Sequence, residues 1–338
     1  MAVTVRDVAK KAGVSLGTVS RYLNGYKLRE ENREKVEKAI KELGFKENIL
    51  AKGLKTNRSM TIGVLISTLT DIFSTSIVSA IEKEVEKENY SLIICDYGGY
   101  SDVLNKKLNF LRDRMVDGII LFSYTSMGYS EMLEGLNQCI KDRIPLVIVN
   151  DDIPELKTDK VLVDNASGSF RAVERLIHLN HRDIAIINGD RISYTSLERY
   201  KGYQEALQTY GIPENKQWVK WGNFTNTGGY TAVKELLQSP RRPTAIYITN
   251  YYMTLGAMMA IYEMNVQVPD EVSIVGFDRF ELSDVIKPKL TVIEQPLEQM
   301  GIEIGRLILK RLQDDYSDFP KKRLVQSRLV IRESDRPI

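Results

Sequence analysis

The stretch Thr4-Val-Arg-Asp-Val-Ala-Lys-Lys-Ala-Gly-Val-Ser-Leu-Gly-Thr-Val-Ser-Arg-Tyr-Leu-Asn24 admits few folds. Thr4 followed by Asp7 reads as a helix start, with a hydroxyl to cap a free backbone N–H and an acid in the first turn. Val5, Val8, Ala9 and Ala12 then recur at helical spacing. Gly13 supplies a residue able to take positive φ, Val14 an apolar plug, and Ser15 a cap for a second helix running to about Asn24. Two short helices around so tight a turn make a helix-turn-helix. On the second helix Val19 and Leu23 face inward. Gly17, Thr18, Ser20 and Arg21 are small, polar or cationic and face out, a surface suited to a major groove.

The charge distribution points the same way. Residues 1–58 hold 14 Lys or Arg against 7 Asp or Glu, a net of +7, and the other 280 residues carry −5. Neutralising phosphates needs a local basic patch rather than a basic protein, so the near-neutral total of +2 is no argument against nucleic acid. A third helix carries Val36, Ile40 and Leu43 on one stripe and closes a small three-helix core. Asn48 to Lys55 follows, about two helical turns with Gly53 inside, too short to be helical alone in water.

From Thr61 the texture changes to short apolar runs alternating with helical periods. Thr61 to Ile66, Ser91 to Asp96, Gly118 to Phe122 and Pro145 to Asn150 read as buried strands of a parallel sheet. Val161 to Val163, Ile184 to Asn188, Val219 to Trp221, Ala245 to Thr249 and Ser273 to Phe277 form a second series. One helix from Pro296 to about Gln313 and a final strand from Arg323 to Ile331 complete the chain. Two α/β subdomains are implied, each with its own sheet.

The opening stretch resembles the headpiece of the lactose-repressor family of bacterial transcription regulators, and the resemblance continues down the chain. Glu30 to Phe45 is similar to the family's third helix and Asn48 to Leu54 to its hinge. Val163-Asp-Asn-Ala-Ser-Gly168, Leu179 to Gly189, Val268 to Asp278 and Leu329-Val-Ile-Arg-Glu-Ser334 resemble its effector domain. The resemblance implies an all-α helix-turn-helix headpiece at 1–47, a hinge at 48–59 and an α/β effector and dimerisation domain at 60–338. That domain would hold two doubly wound parallel-sheet subdomains of the type I periplasmic-binding-protein kind. The chain would cross between them near Val161, Lys289 and Gln326, giving an N-subdomain of 60–161 and 290–325 and a C-subdomain of 162–289 and 326–338.

By the same resemblance Thr4, Ser15, Leu16, Gly17, Thr18, Ser20, Arg21 and Asn24 meet DNA from the headpiece. Leu54 and Lys55 meet it from the hinge, Leu54 as a wedge in the minor groove. Arg21 is the expected base reader. Leu16 either touches a thymine methyl or joins the core. Arg199 and Asp278 would hold an effector's polar groups and Phe224 would stack on it, with Phe73, Thr195 and Asn250 lining the site. An arginine, an aspartate and an aromatic face suit a polyhydroxylated ligand. Two departures from the family's usual residues fall there: Thr70-Asp71-Ile72-Phe73 after the first strand, and Asn250-Tyr251, which puts Tyr251 where it narrows the cleft or stacks on the ligand.

The expected function is sequence-specific repression by a homodimer at a pseudo-palindromic operator, with a sugar or sugar derivative as effector. A nucleobase, a sugar phosphate or a protein corepressor is the alternative. With no signal run and no apolar stretch near 18 residues, a cytoplasmic protein without membrane contact is expected. An exported sugar-binding protein would have no use for the basic N-terminal module. An α/β enzyme would need the phosphate loop, Gly-x-Ser-x-Gly or paired acids that are missing; Asp151 and Asp152, adjacent at a strand end, point apart. No cofactor or metal is expected: His178 and His181 read as a helix C-terminus, and Cys95 and Cys139 as buried thiols. Met253, Met258, Met259 and Met264 read as helix core.

Overall fold

The computed structural model describes residues 3–23, 25–45, 58–123 and 129–338, which divide into two compact units, Met1–Met60 and Thr61–Ile338. In the first, α1 (Val5–Ala12) opens on a capping box. The Thr4 N–H donates to Asp7 Oδ2 at 2.9 Å and the Asp7 N–H to Thr4 Oγ1 at 3.3 Å. Gly13 ends the helix at φ +64°, a conformation that costs a residue with a Cβ. Ser15 Oγ then accepts from the Thr18 N–H at 3.1 Å and starts α2 (Leu16–Leu23). With α3 (Glu30–Leu43) these helices bury Val8, Val19, Val36 and Ala39. Each fully buried valine contributes ~1.5–3 kcal/mol relative to leaving it exposed. Asn24, Leu54 and Lys55 lie outside the described residues.

The second unit contains two six-stranded sheets of one design. The first comprises β1 (Thr61–Ile66), β2 (Ser91–Asp96), β3 (Gly118–Phe122), β4 (Leu146–Val149), β5 (Asp159–Val163) and β11 (Lys322–Val325), in the order β2-β1-β3-β4-β5-β11, all parallel. The second comprises β6 (Ile184–Asn188), β7 (Val219–Trp221), β8 (Ala245–Ile248), β9 (Ser273–Phe277), β10 (Thr291–Glu294) and β12 (Arg328–Val330), in the order β7-β6-β8-β9-β10-β12. Its first five strands are parallel, and β12 joins β10 antiparallel. Helices α4 (Ile72–Glu86), α5 (Ser101–Asp113), α6 (Tyr129–Lys141) and α11 (Leu297–Leu312) belong to the first subdomain. α7 (Asn165–His178), α8 (Tyr194–Thr209), α9 (Asn226–Gln238) and α10 (Tyr251–Glu263) belong to the second. Central strands such as Gly118–Phe122 and Ile184–Asn188 are buried along their whole length, because helices cover both faces; hence their unbroken apolar runs.

Sheet membership corrects three expectations. Val161 to Val163 pairs with β4 and β11, so it lies within the first sheet rather than opening the second. Thr291–Glu294, which carries no strand signal longer than four residues, is β10 of the second sheet. The single strand expected over Arg323 to Ile331 is two strands in different sheets. The crossings therefore fall after Val163, after Glu294 and between Val325 and Arg328.

Burial corrects one further reading and extends another. Met253 and Met258 are core, but Met259 is 54% exposed, on the outer face of α10. His181 does close the helix C-terminus, its N–H donating to the Leu176 carbonyl at 3.1 Å, but its ring is fully buried rather than set at the surface. Its Nδ1 meets Thr244 Oγ1 at 2.9 Å, and its Nε2 meets Ser273 Oγ and the Arg336 carbonyl at 3.1 Å each. Cys95 and Cys139 are buried free thiols, and burial pushes the Cys139 thiol up to about 11.

Candidate DNA-reading face and effector cleft

The helix-turn-helix presents its polar side outward. Leu16 is 47% exposed, so it stands on the outer face rather than in the core, beside exposed Gly17 and Arg21. Thr18 and Ser20 are half-buried, Thr18 Oγ1 lying 2.9 Å from Ser15 Oγ. The Arg21 guanidinium stands 5.9 Å from the centroid of the Tyr26 ring, and Tyr26 is itself exposed. Thr4 and Ser15 both cap helix N-termini, where backbone N–H groups gather and anions are favoured.

In the second unit the carboxyl ends of both sheets face one cleft of about 580 Å³. Ligands of doubly wound sheets bind at such ends, where the strand order reverses. Phe73, Thr195, Arg199, Phe224, Asn250 and Asp278 all line it, so the structure brings the six expected effector residues together.

Arg199 is the anchor. It is 4% exposed, its Nε donates to Asn165 Oδ1 at 2.8 Å, an Nη donates to the Thr249 carbonyl, and the guanidinium lies 3.8 Å from the Phe277 ring centroid. Burial lowers its pKa, and the charge of Asp278 opposes that shift. Asp278 adopts φ +81° at the end of β9, where its carboxylate accepts from the Tyr251 N–H at 3.1 Å and from Gln295 Nε2. Burial raises this carboxyl above its ordinary range, and Arg199 pulls it back. Left-handed backbone at a non-glycine residue is uncommon and concentrates at binding sites.

The other positions are set by local structure. Asn250 caps α10, its Oδ1 accepting from the Met253 N–H at 2.9 Å. Asp71 caps α4 in the same way, 3.0 Å from the Ser74 N–H, and so sets the position of Phe73. Phe224 takes φ +57° and lies over Gly189, where a Cβ would come within 2.1 Å of its ring.

Tyr251 does not narrow the main cleft. It packs edge-on against Phe280, ring centroids 4.1 Å apart, and lines a smaller side chamber instead. Its neighbour Tyr252 reaches the cleft, and the Tyr252 hydroxyl donates to the Thr70 carbonyl at 2.8 Å. Asp96, Ser123, Asp151 and Gln295 also line the cleft, and none of them was singled out as a ligand contact from sequence. Asp151 accepts from Ser123 Oγ at 2.6 Å, and burial raises its carboxyl. Among the described residues the cleft thus holds four carboxylates, Asp71, Asp96, Asp151 and Asp278, against one guanidinium.

Comparison with known proteins agrees with this build. Residues 4–48 match the model of bacterial regulatory proteins, lacI family, and residues 173–334 that of a periplasmic binding protein-like domain. The chain is 31% identical over 337 residues, covering 98% of each, to the HTH-type transcriptional repressor PurR of Vibrio parahaemolyticus. It is similar in structure to the Lac repressor dimer bound to operator and the anti-inducer ONPF, with a TM-score of 0.87, 27% identity and 99% of each chain covered. It also resembles a transcriptional regulator CelR–cellobiose complex, with a TM-score of 0.74, 29% identity, and 98% of this chain and 99% of that one covered. With the helix-turn-helix, the paired sheets and a full-length relative in agreement, the chain belongs to the lacI family of bacterial regulatory proteins and is a DNA-binding transcriptional repressor.

Proposed function

We propose that this repressor binds a pseudo-palindromic operator as a homodimer in the cytoplasm and controls a carbohydrate-utilisation operon, with an uncharged sugar or sugar derivative as effector in the cleft between the two sheets. The observation that carries the reading is the cleft's chemistry. Arg199 and four carboxylates offer charge-assisted hydrogen bonds to hydroxyls, and Phe73 and Phe224 offer apolar faces to a sugar ring. The excess of carboxylates disfavours a phosphate, whose charge would meet like charge in a poorly solvated site. A nucleobase is the second reading, favoured by the same two aromatic rings, which suit a flat heterocycle.

Two uncovered apolar surfaces support the homodimer. The outer strand β2 exposes Ile94, with Leu69 in the turn after β1 and Ile72 at the start of α4 also exposed. α10 exposes Met259 and Tyr262, and Val285 is 68% exposed. Apolar clusters and an unpaired sheet edge call for a cover, and a second copy provides one. On that dimer Leu16, Gly17 and Arg21 would enter the major groove of each half-site. Thr4, Ser15, Thr18, Ser20 and Asn24 would meet backbone or base edges, and Leu54 and Lys55 would act from the hinge.

The test is a thermal-shift screen of neutral sugars, sugar phosphates and nucleobases, followed by operator binding with and without each hit. A native-state ligand raises the melting temperature by mass action. Stabilisation by neutral sugars with a change in operator affinity is expected, and stabilisation confined to phosphorylated compounds would overturn the reading.

A further inference from the structure

The end of α2 sets two side chains of the DNA-reading face against each other. Gly25 takes φ +76° just past the helix, and its N–H donates to the Tyr22 carbonyl at 3.0 Å. The next N–H, that of Tyr26, donates back to the Arg21 carbonyl at 3.0 Å. Such a pair of bonds ends a helix on a glycine and folds the following residue back over the last turn. Tyr26 is thereby returned to Arg21, whose guanidinium lies over the Tyr26 ring, 5.9 Å from its centroid. The ring is 62% exposed and takes no part in the cluster around Val8, Val19 and Val36, so the three-helix core does not account for it. Among the described residues the partner of Arg21 is this ring and not a carboxylate, which leaves the N–H donors of the guanidinium open.

We propose that Tyr26 is a positioning residue for operator reading, its ring face holding the Arg21 guanidinium in place before DNA arrives. An exposed arginine has many rotamers and loses them when it pairs with a base edge, so a partner that restricts it beforehand lowers the cost of that pairing. The kind of partner matters. A carboxylate would occupy the N–H fork that a guanine needs, whereas an aromatic face attracts the cation and consumes no donor. The ring therefore acts on the base pair read by Arg21 and on no other, and it acts through its face rather than its hydroxyl. The inference rests on the reading of Arg21 as a base reader.

The duplex selected by the full-length protein from a random pool would be titrated, together with its symmetric single-base-pair variants, at one fixed salt concentration. Wild type, Arg21→Ala, Tyr26→Phe, Tyr26→Leu and the Arg21→Ala/Tyr26→Leu double variant would be compared. Arg21→Ala identifies the base pair that Arg21 reads. At that base pair Tyr26→Leu should lower discrimination by about twofold to fivefold per half-site, the range of a cation–π contact at an exposed site, and leave preference elsewhere unchanged. Tyr26→Phe keeps the ring face and should discriminate as wild type does. In the Arg21→Ala background Tyr26→Leu should change nothing at that base pair. A loss spread evenly over all sequences would make Tyr26 a helix cap or a backbone contact and overturn the proposal, as would full discrimination in Tyr26→Leu. A loss in Tyr26→Phe equal to that in Tyr26→Leu would assign the effect to the hydroxyl and overturn it too. If Arg21→Ala relaxed no base pair, the reading of Arg21 would fall without any Tyr26 variant being needed, and this proposal with it.

Discussion

The hydroxyl of Tyr252, on the first turn of α10, donates to the backbone carbonyl of Thr70 at 2.8 Å and so joins the two subdomains directly across the mouth of the cleft. A single neutral hydrogen bond contributes a net ~0.5–1.5 kcal/mol. Tyr252→Phe keeps the ring and removes only the bond, so the ratio of closed to open forms should fall about twofold to tenfold in the absence of ligand. Distances between spin labels on the two subdomains measure that ratio. An unchanged distribution would show that the bond does not hold the cleft.

Arg199 should serve structure and ligand at once. Replacing it with Met leaves Asn165 Oδ1 and the Thr249 carbonyl without its donors, at a cost of ~1–3 kcal/mol for each acceptor left unpaired. The variant should therefore melt lower than wild type and lose the effect of effector on operator affinity. Its ligand-free operator affinity should stay near wild type at temperatures well below the transition. Full retention of the effector response would move the binding determinant away from Arg199.

On the headpiece, Arg21→Ala should cost ~1–3 kcal/mol of operator affinity and relax preference at one base pair per half-site. A binding-site selection at fixed salt reads this directly. A uniform loss on every sequence would make Arg21 a phosphate contact instead.

His181 gives the effector unit an acid-sensitive point. Burial, the largest effect, pulls its imidazole below the ordinary 6.5, against the Arg336 carbonyl and the charge of Asp335. A histidine with a lowered folded pKa stabilises in its neutral form. Its contribution is complete above pH 6.5 and shrinks as pH falls below that value. Urea midpoints should drop between about pH 7 and pH 5, and His181→Asn should flatten that part of the profile.

Much of this was legible in the sequence because its physics is local. Capping residues, a positive-φ glycine and an apolar stripe define the headpiece without reference to anything distant, and central strands declare themselves as unbroken apolar runs. What could not be read depends on pairing. Val161 to Val163 is as apolar as any strand of the second series, and only hydrogen bonding to β4 and β11 assigns it to the first. His181 reads as a helix terminus, which its backbone is, but the burial of its ring against Arg336 from the far end of the chain has no local signal. Gln295 sits in Glu294-Gln-Pro296, a stretch with no periodicity, and only the fold shows that it lines the cleft with a buried amide oxygen that has no hydrogen-bond partner among the described residues. Tyr251 and Tyr252 are adjacent, identical residues, and the helical turn sends one to Phe280 and the other to the cleft.

The split of the last strand into β11 and β12 bears on how the protein is made. Until residues 322–330 have been synthesised, each sheet lacks one of its two edge strands, and Ser334 and Asp335 have yet to join Thr291 on β10. The headpiece and most of both sheets leave the ribosome well before that. A nascent chain can therefore present a finished DNA-reading module while its ligand-binding unit is still incomplete, and a stop codon near residue 320 would damage both subdomains at once.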